Sequence, residues 1–133
     1  MGGPRGPGQV MRVLIVERNH ELGRLWQRHI ERYGHDVVLA DGQTSALAHL
    51  SRQPFSVVVL NLVLGAGSAF AIADVLSYRC PEARVIFVTN TSFFSDGSIF
   101  SLIGNAAAFL ATDAPPDDLA AVVDYHGQQV PMQ

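Results

Sequence analysis

Five short, almost uninterrupted apolar runs divide this sequence. They span residues 11–16, 36–40, 56–64, 83–89 and 106–111, and most are rich in valine, isoleucine and leucine. Short runs without alternation between apolar and polar residues are typical of strands that are buried on both faces of a parallel sheet. The sequence therefore predicts five buried parallel strands.

Between these runs the apolar residues recur at the spacing of a helix. In the first such segment Leu22, Trp26 and Ile30 share one face, and Gly34 is a C-terminal stop signal. Further helices are predicted around residues 46–50, from about 68 to 78, around 96–103 and from 115 onward. Alternating strands and helices form a parallel sheet with helices on both faces. We therefore predict an α/β, flavodoxin-like, doubly wound (βα)5 fold with strand order 2-1-3-4-5.

Composition limits the classes of function. The chain has 133 residues, a net charge of -3 and one cysteine, Cys80. A single domain is expected over residues 10–127, with flexible tails at 1–9 and 128–133. The charge gives no support to nucleic-acid binding, and a lone cysteine excludes an internal disulfide. The apolar runs are too short to span a bilayer, so we expect no membrane partner. The lone cysteine fits a reducing compartment, so we expect a cytoplasmic protein.

Functional residues in such a sheet are expected beyond the carboxyl ends of the strands, where the strand order reverses. Glu17 and Arg18 follow the first strand, and Asn61 interrupts the third apolar run. Thr89-Asn90 and Ala111-Thr112 stand at the ends of the fourth and fifth strands. We therefore expect these side chains at one edge of the sheet.

At these positions the sequence resembles the receiver domain of bacterial two-component response regulators. The resemblance covers roughly residues 11 to 126. It rests on VLIVERNHELGRLW for the first strand, turn and helix, on VVVLNLVLGAGSAF for the third strand and its loop, and on VIFVTN and AAAFLAT for the last two strand ends. Each motif alone is weak, but the four occur in order and at suitable spacing.

The resemblance implies phosphoryl transfer to an aspartate, assisted by Mg²⁺ held by an acidic pair. The aspartate position falls on Asn61, and the acidic pair falls on Glu17 and Arg18. The lysine that would contact the phosphoryl group falls on Thr112, and the chain has no lysine anywhere. A neutral amide cannot attack phosphorus as a carboxylate does, and a guanidinium opposes a bound cation. We therefore expect a degenerate phosphorylation site with no metal and no cofactor.

Two positions that the family uses for switching are retained. Thr89 matches the hydroxyl residue that senses the phosphoryl group, and Phe109 lies at the aromatic position of the fifth strand. The alternative for Phe109 is an ordinary core aromatic, since phenylalanines on strands usually pack in the core. Asn61 can be a polar residue satisfied at a strand end, or part of a network with Glu17, Arg18 or Thr89. Arg18 can form a solvated pair with Glu17, or its guanidinium can occupy the metal position, and we predict the latter.

Two surfaces are candidates for binding a partner. Arg24, Arg28 and Arg32 recur every four residues along the first helix, the helix that faces kinases or phosphotransfer proteins in receivers. The alternative is a solvated face that Glu21 and Glu31 partly neutralise. The second surface holds Phe94, Phe100 and Leu102, in a stretch with more large apolar side chains than one buried helical stripe can hide. Irregular packing against the fifth strand is the alternative there.

The sequence thus predicts a stand-alone pseudo-receiver that is not an enzyme. It would act as a phosphorylation-independent interaction module, and its partner would be a kinase, a phosphotransfer or effector protein, or a second copy of itself. One alternative is a phosphotransfer protein that retains acyl-phosphate chemistry on another carboxylate, such as Glu17. A flavodoxin-like nucleotide or flavin binder is another. It is disfavoured because the turn ERNHEL after the first strand offers no glycine- or hydroxyl-rich phosphate cradle.

Overall fold

The computed structural model describes residues 11–61, 66–89 and 106–128. The strands are β1 (Arg12–Val16), β2 (Asp36–Ala40), β3 (Val57–Asn61), β4 (Arg84–Thr89) and β5 (Ala106–Ala111). The helices are α1 (His20–Glu31), α2 (Gln43–Arg52), α3 (Ala66–Arg79) and α4 (Pro116–Gln128). The strands form one parallel sheet in the order β2-β1-β3-β4-β5, which confirms the predicted fold class.

The element boundaries follow local sequence signals. Asn19 caps α1, where its side chain accepts a hydrogen bond from the Leu22 backbone N–H at 3.1 Å. Beyond the last turn of α1, Gly34 has a φ of 89°, a conformation that costs other residues energy. Pro116 opens α4, and the two acidic residues that follow it complement the helix dipole.

Most boundaries agree with the sequence to within two residues. Helix α3 begins at Ala66 rather than near residue 68, and α4 ends at Gln128, one residue beyond the expected domain boundary. The predicted helix over 96–103, the tail over 1–9 and residues 62–64 of the third run lie outside the described residues. Within the described part of the chain, no helix is long and apolar enough to cross a membrane.

Two apolar layers cover the sheet. One layer packs α2 and α3 against it, with Leu50, Ile72 and Leu76 among the buried residues. The other packs α1 and α4, with Trp26, Ile30 and Leu119 buried against the opposite face. Because both faces are covered, the central strands β1 and β3 are almost wholly apolar and buried. The polar residues at the strand ends therefore stand out as candidates for a site.

Candidate functional site

Glu17 and Asn61 meet at the carboxyl edge of the sheet. Strands β1 and β3 are neighbours, and Val16 is in register with Leu60, so the next residue of each strand lies at the same level. The Asn61 side-chain nitrogen Nδ2 donates a hydrogen bond to Glu17 Oε1, and both residues are buried. An amide can donate to a carboxylate in this position, whereas a second carboxylate could not.

The second oxygen of Glu17 is also engaged. Oε2 accepts a hydrogen bond from the Asn19 backbone N–H at 2.9 Å. The Glu17 backbone N–H in turn donates to the Ala40 carbonyl of β2 at 2.9 Å. Glu17 therefore joins three segments, namely the end of β2, the cap of α1 and the end of β3.

Arg18 does not take the predicted position. Its side chain is exposed, and among the described residues it makes no hydrogen bond or ion pair with Glu17 or Asn61. The prediction that its guanidinium would occupy the metal position by contacting one of these two residues is wrong. The physical reason is that Asn61 and the Asn19 N–H already satisfy the carboxylate, while a guanidinium is better hydrated outside.

Thr89 and Thr112 stand together on the neighbouring strands. Thr89 is buried at the end of β4, and its carbonyl accepts a hydrogen bond from the Thr112 backbone N–H at 3.0 Å. The Thr112 hydroxyl oxygen is buried and has no hydrogen-bond partner in the described part of the chain. The residue at the lysine position thus supplies an uncharged hydroxyl rather than a cation.

Phe109 packs as a core aromatic. Its ring is stacked on Phe87, with ring centroids 5.2 Å apart, and it borders the apolar layer under α2 and α3. This packing is the alternative that the sequence left open. A switching role for Phe109 stays a prediction.

An open cleft lies beside Glu17, on the side of β2. It has a volume of about 240 Å³ and is bordered by the starts of α1 and α2. Its polar lining consists of Glu17, His20, Asp41 and Ser45. Nowhere in the described ranges do three or more His, Cys, Asp or Glu side chains form a group that could hold a metal ion.

The two predicted partner surfaces differ in what the structure describes. Arg24, Arg28 and Arg32 are all exposed on α1 or at its C-terminal cap. The apolar candidates Phe94, Phe100 and Leu102 lie outside the described residues, as does Asn90.

One polar contact has no counterpart in the sequence analysis. His35, the residue before β2, is buried, and its Nδ1 accepts a hydrogen bond from the Met11 backbone N–H at 3.2 Å. Its Nε2 therefore carries the proton and donates to Asp124 Oδ1 at 2.7 Å. The bond ties the start of β2 to α4 across 89 residues of sequence, and no local pattern could have indicated it.

Two titratable side chains away from the strand ends, Cys80 and His126, have shifted pKa values. Burial, with a smaller contribution from Glu82, raises the pKa of the Cys80 thiol, so this cysteine remains a weakly reactive thiol. Burial first, and then the positive charge of Arg84, lowers the pKa of His126.

No protein-family model matches the chain. Among curated proteins, the alginate biosynthesis transcriptional regulatory protein AlgB of Pseudomonas putida is 28% identical over 108 residues, which are 81% of this chain and 24% of AlgB. The response regulator receiver protein CpdR of Brucella abortus is 24% identical over 78 residues, 59% of this chain and 65% of CpdR. The chain thus spans about a quarter of the length of AlgB.

Solved structures agree in fold. The non-phosphorylated HemR receiver domain from Leptospira biflexa superposes with a TM-score of 0.80 at 20% identity, over 92% of this chain and 98% of that one. A CheY-like receiver domain protein from Methanospirillum hungatei gives a TM-score of 0.78 at 21% identity, over 90% and 94% of the two chains. The curated relatives support a response regulator receiver domain, and the structural neighbours show the same fold.

Proposed function

We propose that this protein is a pseudo-receiver, a cytoplasmic protein-interaction module of two-component-type signalling that works without phosphorylation and is not an enzyme. The observation that carries the proposal is the hydrogen bond from the Asn61 amide to the Glu17 carboxylate. Asn61, at the phosphoacceptor position, thereby donates a hydrogen bond to Glu17, at the metal-ligand position. Phosphorylation instead needs an attacking carboxylate oxygen at the first position and a cation-binding oxygen at the second.

The donor set does not fit a magnesium ion. Mg²⁺ prefers carboxylate oxygens and gives up its water reluctantly. Glu17 supplies the carboxylate at this edge, and both of its oxygens accept hydrogen bonds from N–H groups. Its neighbour Arg18 carries a positive charge. We therefore assign no step to a metal.

Asn61 also lacks the nucleophile. Attack on phosphorus requires an oxygen with an available electron pair and charge, which an amide does not offer. At the lysine position, Thr112 carries no charge to neutralise a phosphoryl group. Three components of the reaction are therefore changed together, which supports a role that depends on shape and surface rather than on group transfer.

Mass spectrometry after incubation with acetyl phosphate and Mg²⁺ tests the proposal. We expect no adduct of about 80 Da, the mass of one phosphoryl group. The matched control is the triple variant Asn61→Asp/Arg18→Asp/Thr112→Lys, which restores the three missing side chains and is expected to gain the adduct. Asn61→Asp alone is expected to remain inefficient. A stoichiometric adduct on the wild type would overturn the proposal.

The same measurement separates the alternative of phosphotransfer through Glu17. An adduct that is present on the wild type and lost in Glu17→Gln would favour that alternative. The burial of Glu17 and the two hydrogen bonds to its oxygens argue against it, because a nucleophilic oxygen must be free to reach phosphorus.

A further inference from the structure

We infer that a second copy of this chain docks on the surface formed by α1 and α4. The two copies are related by a two-fold axis that runs parallel to these helices, so that α1 of each copy pairs with α4 of the other. We call this surface the α1/α4 face and define it by Arg28, Arg32, Tyr33, Asp117, Asp118 and Tyr125. All six residues are exposed. The inference rests on the proposed interaction role and names the partner.

Two contacts fix how α1 and α4 lie beside each other. His29 Nε2 is 3.5 Å from Asp117 Oδ1, and His35 Nε2 bonds Asp124 Oδ1 at 2.7 Å. His29 lies in α1, and His35 lies in the segment between α1 and β2. Helix α1 follows β1 and α4 follows β5, and these strands are parallel, so both helices start at the carboxyl edge of the sheet and run in the same direction. Both helices also pack on the same apolar layer, so their exposed sides face away from the sheet together.

These contacts place opposite charges at one level of the face. Arg28 directly precedes His29, Asp118 directly follows Asp117, and both side chains are exposed, so the two opposite charges lie at about the same level of the face. A two-fold axis between the helices and parallel to them exchanges the two sides. Arg28 of each copy then meets Asp117 and Asp118 of the other copy, and the pairing occurs twice because the interface is isologous.

The other two-fold arrangement is unfavourable. An axis that crosses the helices would lay α1 on α1 and set the arginines of one copy against those of the other. Like charges placed opposite each other oppose association, so charge selects the axis along the helices. Glu31 lies one turn after Gln27, whose side-chain amide donates to the Val37 carbonyl of β2. Glu31 therefore stands on the β2 side of α1 and is not part of the α1/α4 face.

The charges on this face are available. Within the described ranges, Asp117 lies 3.5 Å from His29 and Asp124 accepts a hydrogen bond from His35, and no arginine side chain pairs with a carboxylate. Arg24, Arg28 and Arg32 are exposed, so their guanidinium groups can reach a partner. An arginine without an intramolecular carboxylate can pair with a partner without first breaking an existing contact.

Two tyrosines supply apolar area at the other end of the face. Tyr33 stacks on His35 with ring centroids 6.3 Å apart, and His35 bonds Asp124, which precedes Tyr125. Tyr33 is 42% exposed and Tyr125 is 59% exposed. The same axis brings Tyr33 of one copy near Tyr125 of the other. Tyrosine is among the residues that contribute most to interfaces, since it combines large area with a polar tip.

Sedimentation velocity over a concentration series at low salt tests the inference. We expect a monomer–dimer equilibrium that shifts toward monomer at high salt. Arg28→Asp and Asp118→Arg should each raise the dimer dissociation constant about tenfold or more, and the double variant should restore the wild-type value because it exchanges the two charges. Asp118 is chosen because Asp117 also contacts His29.

The control is Arg79→Asp, an exposed arginine on α3 in the opposite layer. It should leave the dissociation constant unchanged, and circular dichroism should show that every variant is folded. A wild type that stays monomeric throughout the series overturns the inference, as does a dimer that ignores both single reversals and is dissociated by Leu102→Asp. Either result leaves the acetyl phosphate measurement on Asn61 unaffected, so the two proposals fail separately.

Discussion

The side-chain amide of Asn61 donates a hydrogen bond to the carboxylate of Glu17, and this bond joins the ends of β3 and β1. Glu17 also accepts from the backbone N–H that opens the cap of α1. The bond therefore gives two buried polar atoms, Asn61 Nδ2 and Glu17 Oε1, a partner at the centre of the sheet edge. Its contribution to stability can be measured separately from any signalling role.

Asn61→Asp should lower the free energy of unfolding by about 2–4 kcal/mol at neutral pH. The substitution replaces the donor by a second carboxylate next to Glu17, so two like charges are buried against each other and the hydrogen bond is lost. Urea denaturation of the wild type and the variant measures the difference.

The double variant Glu17→Gln/Asn61→Asp is the control for that prediction. It exchanges donor and acceptor, because the amide nitrogen of the introduced glutamine can donate to the introduced aspartate while the glutamine oxygen still accepts from the Asn19 N–H. We expect the double variant to recover more than half of the stability lost in Asn61→Asp. A double variant no more stable than the single one would mean that the hydrogen bond does not hold the two strands as described.

His35→Phe should lower the free energy of unfolding by about 2–3 kcal/mol. An aromatic ring would remain, but the Met11 N–H would lose its acceptor and Asp124 would keep only the longer hydrogen bond from Gln128 Nε2, at 3.3 Å. The control is His20→Phe, whose side chain is exposed and which we expect to change stability by less than about 0.5 kcal/mol. Equal effects of the two substitutions, measured by urea denaturation, would contradict the assignment of His35 as the link between β2 and α4.

The pKa of His126 leads to a prediction for stability against pH. Burial and Arg84 lower this pKa in the folded protein, so the unfolded chain binds the proton more readily. The free energy of unfolding should therefore fall as the pH drops through the ordinary histidine value of about 6.5, and should level off below the folded pKa. The effect is small because the side chain is partly exposed.

NMR titration of the His126 ring measures this pKa directly. We expect a midpoint below that of a histidine in an unstructured peptide, and we expect Arg84→Gln to move it upward. A midpoint at or above the peptide value, or one that Arg84→Gln leaves unchanged, would show that the two causes are wrongly assigned.

The fold could be predicted from the sequence because its strongest signals are local. Runs such as 11–16 and 83–89 are apolar at every core position, and helical spacing in the intervening segments leaves few ways to cover the sheet. Right-handed crossovers then leave few strand orders, among which the flavodoxin-like order 2-1-3-4-5 is favoured. The same logic brought Glu17 and Asn61 to one edge, since each ends a strand.

The contacts within the site were less accessible to sequence reasoning. The sequence left open whether Asn61 bonds Glu17, Arg18 or Thr89, because a strand end fixes a position and not a side-chain direction. Arg18 differs from its predicted position because hydration of its guanidinium outweighs attraction to a carboxylate that the Asn19 N–H already engages. The bond from His35 to Asp124 depends on how α4 packs, which no local pattern encodes.

Gly127→Ala should lower the free energy of unfolding by about 1–2 kcal/mol, although alanine is the better helix former. A Cβ at Gly127 would fall inside the van der Waals contact distance of Met11 Sδ and Cε and would lie 3.1 Å from Val57 Cγ2. Met11 is buried, so its side chain cannot move aside without losing apolar contact.

The matched control is Gly23→Ala in α1, where a Cβ would meet Glu17 and Leu39 at an ordinary 3.6 Å. That variant should instead gain about 0.5–1 kcal/mol. Chemical denaturation of both variants, and of Gly127→Ala combined with Met11→Ala, resolves the cause. The combined loss should be smaller than the sum of the two single losses, because the shortened side chain leaves room for the new methyl group. A Gly127→Ala variant as stable as the wild type would show that Met11 repacks without cost.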